Sequence, residues 1–342
     1  MVQKYVTIHR WEYTGRAPNR FPGRSPATPD GRHPETRPIA VTVANHREES
    51  SLLSQSHPPI RRQGEQVTDI DLTILEVTPP WEWPGDAREA LLKRLRDDQA
   101  DEAERLLAAE LAGEIVVINE ELTRALSALV ANRDASDELR GQAAIALGPV
   151  LEEMDLHEPL GDDWDELDPP PIPPHEFQRL RWELNSLYLN EGTPKLVRRR
   201  ILEASVRAPE AWHEDAIREA HDPDDHEWRL TAVFCMGRVP GFTNEVLESL
   251  NDPDEDVRFE AVRAAGLREI RAAWPHVARL LRSPDTDRQL LFAAIEASVG
   301  VRGKATIEYL DDLSASEDKE IAMMAADATS MANALYGDLS EW

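Results

Sequence analysis

Cysteine is nearly absent. Cys235 stands alone in 342 residues, which excludes an intramolecular disulfide framework and a cysteine-rich metal site. Lysine is scarce as well, with five against 33 arginines, a bias that fits a GC-rich bacterial genome. Aromatic residues make up only 6%, so a core has to be built mainly from Ala, Leu and Val. No apolar run approaches the length of a membrane-spanning helix, and the N-terminus has no apolar signal stretch. A cytoplasmic protein is therefore expected. There is no Gly-rich phosphate loop and no Ser nucleophile elbow, so no catalytic residue and no cofactor is expected. Positive charge is missing from most of the chain. Residues 64–342 carry 28 Lys/Arg against 60 Asp/Glu, a balance that repels phosphate backbones and anionic lipid surfaces. Neither nucleic acid nor a membrane is an expected partner.

What is present falls into four stretches. Residues 1–85 form a basic, Pro/Arg-rich segment expected to be largely without fixed structure, because it has little apolar surface to offset chain entropy. Within it, Pro38–Ala44 has a short alternation compatible with a strand. Residues 1–63 hold ten Lys/Arg against five Asp/Glu, and the charge changes sign near Gln63. That reversal marks Val67 as a candidate translation start. The alternative is a basic tail that touches nucleic acid or the acidic body of another copy. Trp81 and Trp83, in the stiff run Thr78–Pro84, are expected to pack on the first helix pair. Residues 86–154 read as helix pairs, 155–174 as an acidic and Pro-rich insertion, and 175–342 as further helical repeats.

The repeats can be aligned on apolar anchors at Leu139, Val197, Trp228, Val257, Leu290 and Ile321, separated by 58, 31, 29, 33 and 31 residues. Four residues after each anchor come Ala143, Ile201, Ala232, Ala261, Ala294 and Ala325. Seven after come Ala146, Ala204, Cys235, Ala264, Ala297 and Ala328. Small residues at this spacing let a helix pack closely on its neighbours. Acidic turns precede several anchors, as in Asp222-Pro223-Asp224 and Asp252-Pro253-Asp254. A period near thirty residues with two helices per period predicts an all-α protein, an α-solenoid of roughly six helix pairs.

The run at 252–266, D-P-D-E-D-V-R-F-E-A-V-R-A-A-G, resembles the second helix of a HEAT repeat of the short bacterial kind related to phycobilisome-lyase repeats. The segments PPWEWP, RGQAAIALGP, RRRILEASVRAP and WRLTAVFCMG resemble bacterial HEAT-repeat proteins more narrowly. The resemblance implies a right-handed superhelix of helix pairs, and a ladder role for the repeated Asp and Arg. It implies hardly anything about biochemical role; the expected function is a non-enzymatic protein-binding scaffold using the concave face. Alternatives are a bilin lyase-related or chaperone-like factor acting on a protein client, and a helical-repeat DNA glycosylase. The last needs a basic concave face, which the acidic body disfavours.

Candidate sites follow from register. Positions two, three and six past the anchors line the concave side of such a solenoid. They nominate Arg199, Arg200, Phe234, Phe259, Glu260, Arg263, Phe292, Met323 and Met324 for contact with a protein partner. The same side chains could instead pack between repeats. The acidic run Asp162–Asp168 is a candidate for docking on Arg199 and Arg200 within the chain. His213, His221 and His226 do not share the i, i+4 spacing of a helical metal site, so no metal is expected. Cys235 falls in an alanine slot and reads as a buried thiol.

Overall fold

The computed structural model describes residues 70–157 and 170–336. The chain divides into Met1–Gly64 and Glu65–Trp342, a boundary at the change of charge sign, and every described residue belongs to the second unit. The expectations for Pro38–Ala44, the Val67 start and Asp162–Asp168 lie outside the described residues. All regular structure among the described residues is helical. None of these helices is long and apolar enough to cross a membrane.

In chain order the first are α1 (Leu72–Val77), α2 (Ala87–Arg96), α3 (Glu102–Ala112), α4 (Glu120–Ala131), α5 (Asp137–Ala146) and α6 (Gly148–His157). After the insertion come α7 (Pro174–Leu189), α8 (Lys195–Ser205), α9 (Trp212–Ala220), α10 (His226–Met236) and α11 (Thr243–Ser249). The last are α12 (Glu255–Leu267), α13 (Trp274–Arg282), α14 (Arg288–Arg302), α15 (Ile307–Ser314) and α16 (Lys319–Tyr336). Short polar side chains start many of them. Asp101, Asn119 and Ser136 cap α3, α4 and α5 by accepting first-turn N–H groups. Asp225, Asp254 and Asp287 do so for α10, α12 and α14, and Asp318 accepts from Glu320 N and Ile321 N at the start of α16. Each such cap contributes about 1 kcal/mol. The acidic turns of the sequence are thus helix starters.

The helices pack as pairs: α2 with α3, α4 with α5, α7 with α8, and so on to α15 with α16. Seven pairs are present among the described residues, against the six expected. The second members also pack on one another in succession, α3–α5–α8–α10–α12–α14–α16. The repeat alanines explain this. All twelve positions four and seven past the anchors are buried, so the second-row helices approach closely along small side chains. The closest approach is between α12 and α14, where Gly266 lies against Ala297 and Gly300 lies against Gly266.

Side-chain contacts tie three of the repeats forward to the next one's cap. Lys195 on α8 reaches Asp225 at 2.7 Å, His226 on α10 reaches Asp254 at 3.0 Å, and Arg288 on α14 reaches Asp318 at 2.5 Å. Arg229 adds a bond to Asp252 at 2.9 Å. This register holds an acid on α5, Asp137, and on α12, Glu255, and on α12 the glycine contact takes over.

Three boundaries differ from the expectation. Regular structure begins before residue 86: α1 buries Leu72 and Leu75 and packs on α3. The Trp83 indole N–H donates to Leu75 O at 3.0 Å and Thr78 O at 2.9 Å. Trp81 remains exposed, so only one of the two tryptophans packs. The apolar spacing within 86–154 predicts one helix over Glu138–Glu153; the structure splits it into α5 and α6, with Pro149 accepted in the first turn of the new helix. The insertion is also shorter than 155–174, since α6 extends to His157 and Ile172 is buried.

Candidate functional site

The nominated residues sit on α8, α10, α12, α14 and α16, the second row, and neighbouring helices bring their equivalent positions side by side. The first of them is not a surface group. Arg199 is 6% exposed; its Nε donates to Thr231 Oγ1 at 3.0 Å and its Nη1 pairs with Glu227 at 3.1 Å. Thr231 Oγ1 donates to Glu203 Oε1 at 2.6 Å, and Arg200 Nη1 reaches Glu203 Oε2 at 2.6 Å. Arg199 and Arg200 therefore belong to a network that joins α8 to α10. Sequence register placed both arginines correctly on the second row and could not reveal that Arg199 turns inward.

Next along the row, Glu152 of α6 is clamped between Arg207 Nη1 and Arg238 Nη1, each at 2.9 Å. Burial works against its charge, but Arg238 and Arg207 hold the carboxyl below its ordinary value. Gly148 makes room for the clamp, since a Cβ there would lie 2.8 Å from Arg207 Cδ. This contact spans 86 residues, and no periodicity predicts it.

The phenylalanines combine both readings offered by the sequence. Phe234, Phe259 and Phe292 are half-buried and pack against the core. Each also lies under a guanidinium: Arg238 at 5.9 Å, Arg263 at 5.8 Å and Arg288 at 5.1 Å from the ring centres. Such contacts contribute about 0.5–1 kcal/mol each at partly exposed sites. Glu260 pairs with Arg263 at 3.1 Å, and its burial raises its carboxyl above the ordinary value. Met324 is half-buried, whereas Met323 is 59% exposed. Glu296 and Asp327, at the sixth position past their anchors, are exposed. Burial nevertheless pushes the Glu296 carboxyl up, with Arg263 acting in the opposite direction.

The remaining candidates resolve into structure. Cys235 is fully buried and burial pushes its thiol up, the opposite of an activated nucleophile. His213 is buried, while His226 turns to Asp254; the histidines do not form one site. Glu120, His175 and Glu176 converge on α4 and α7, but Arg124 stands among them, bonded to Glu176 and 2.5 Å from Glu120. A guanidinium already supplies the positive charge that a metal would bring. The Arg124 hydrogen bond holds the buried Glu176 carboxyl down at about 2, against the cost of its burial and with help from Arg179. A depressed carboxyl stabilises the fold above its unfolded value, and that stabilisation is lost as pH falls from about 4.5 toward 2. Arg124 is half in solvent, which weakens the pair. Glu176→Gln should thus lose about 2 kcal/mol at pH 7, read by urea unfolding, and the gap to wild type should close as the pH approaches 2.

No model of a protein family matches this chain, and no curated protein matches it. Among solved structures, the X-ray structure of YibA from E. coli is similar at 16% identity with a TM-score of 0.38, covering 81% of this chain and 99% of that one. A superposition at this level carries no functional assignment.

Proposed function

We propose that the chain is a HEAT-like α-solenoid, a right-handed superhelix, acting in the cytoplasm as a non-enzymatic scaffold that binds a protein partner along the concave, second-row face. One observation carries this reading. The interior positions of the second row repeat with little change, while the outward positions vary from repeat to repeat: the sixth position past the anchor holds Glu203, Phe234, Arg263, Glu296 and Asp327 in turn. Invariant packing builds the surface, and the variable positions supply selectivity. The mix of half-exposed aromatics, methionine and paired charge is the composition of a protein-recognition surface.

The test is affinity capture from an extract of the native host, followed by mass spectrometry. A partner recovered with wild type should fall at least tenfold with Phe259→Ser combined with Met323→Asp, once circular dichroism shows both proteins equally folded. No partner above background, or equal recovery with the double variant, would count against the scaffold.

A further inference from the structure

The C-terminal half of the groove differs from the N-terminal half in how its charges are satisfied. Around α8 and α10, Arg200, Arg207 and Arg238 are all neutralised within the chain by Glu203 and Glu152. On α14 and α16 the order is reversed. Glu296 and Asp327 are acids exposed to water, and neither forms an ion pair or side-chain hydrogen bond among the described residues. Each stands one turn beyond an apolar neighbour on the same helix face, Phe292 before Glu296 and Met323 before Asp327. Met323 is among the most exposed large apolar side chains of the described residues. Two parallel rows result: an apolar row of Phe259, Phe292 and Met323, and beside it an acidic row of Glu296 and Asp327.

We infer that this half of the groove binds a basic amphipathic helix of the partner, its apolar face on Phe292 and Met323 and its cations on Glu296 and Asp327. The inference rests on the scaffold reading and specifies the partner's chemistry. Neighbouring packed helices lie about 8–10 Å apart, so the two carboxylates are spaced by about that distance. A helix laid across them presents residues i and i+7 about 10 Å apart. Its cations therefore fall at i and i+7, with apolar residues at i+3 and i+4 between them. Glu296, which feels only Arg263 within the chain, and Asp327 also disfavour an acidic helix, whose charges would be brought against theirs beside the exposed Met323.

The probe is a synthetic helical peptide with Lys at i and i+7 and Leu at i+3 and i+4, against a twin carrying Glu in place of Lys. Fluorescence anisotropy with the full chain, at about 0.15 M salt to screen long-range attraction, should show binding of the Lys peptide and none of the Glu peptide. Glu296→Lys with Asp327→Lys should weaken the Lys peptide at least tenfold and admit the Glu peptide. Glu214→Lys with Asp215→Lys, exposed on α9, controls for net charge and should change affinity less than twofold. Equal binding of both peptides, no binding of the Lys peptide, or an equal loss in the α9 control overturns the inference. The scaffold reading stands or falls separately: partner capture that depends on Phe259 and Met323 while the Lys peptide fails to bind removes only the basic-helix assignment.

Discussion

Gly266→Leu is expected to destabilise the protein by about 3 kcal/mol, and Gly266→Ala by about 2 kcal/mol. A Cβ at this position would lie 2.6 Å from Ala297 Cα and 2.8 Å from Ala297 Cβ. Those atoms belong to the backbone and first carbon of α14, so no rotamer change relieves the overlap, and the two helices have to separate. Alanine gains about 1 kcal/mol of helix propensity over glycine, which offsets only part of the clash. Separation would also expose the buried Ala261, Ala264 and Ala294. Gly85, where a Cβ meets nothing within 4 Å, is the control: Gly85→Ala should change stability by less than about 0.5 kcal/mol. The measurement is the urea-unfolding midpoint at unchanged m-value. A Gly266→Ala protein as stable as wild type would show that α12 and α14 do not approach so closely.

Acid should weaken the fold between about pH 6.5 and 4 through one residue, His213. Its ring is fully buried. Nδ1 lies 2.8 Å from the Glu210 backbone N–H and 3.2 Å from Glu210 O, and Nε2 lies 3.0 Å from Ser205 Oγ. Trp212 stacks on the ring at 3.8 Å between centres. Burial pushes the imidazole down to about 4, aided by Arg181 and opposed by Glu210. Above the unfolded value near 6.5, both states hold a neutral ring and pH has no effect. Below it, the unfolded chain takes up a proton that the folded chain refuses until about pH 4. The cost grows over that window to about 3 kcal/mol. In His213→Gln, which keeps a hydrogen-bonding side chain for Ser205, the slope of stability against pH over 6.5–4 should flatten by that amount. This window lies above that of Glu176, so the two residues are separable in one titration. An unchanged slope in the variant would assign the acid sensitivity elsewhere.

The fold was legible because its period was. Apolar anchors about thirty residues apart and alanines at fixed offsets mark which face is buried, and all twelve alanine-slot positions are indeed inside. The short α1 escaped because six residues cannot display a helical period, and its burial depends on α3. The split after Leu147 escaped because the apolar spacing of 138–153 continues through Gly148-Pro149. At the candidate site, register placed the side chains on the correct helices but not their partners. Arg199 and Arg200 occupy adjacent positions with the same charge, yet one is interior because Thr231 and Glu227 lie opposite it on the next repeat. Glu152 belongs to a helix outside the repeat pattern, and only the packing of α6 on α8 brings it to Arg207 and Arg238. Distances across repeats decide which charges are spent internally and which remain for a partner.

The forward contacts also give the array a direction. Lys195, His226 and Arg288 each reach toward the capping acid of the following repeat, so every such joint has a giving and a receiving side. Lys319 holds the same register on α16, and no further repeat follows it among the described residues. Repeats are therefore not freely interchangeable: a helix pair passes the contact on only where a basic side chain two residues before its anchor meets an aspartate cap on the next pair.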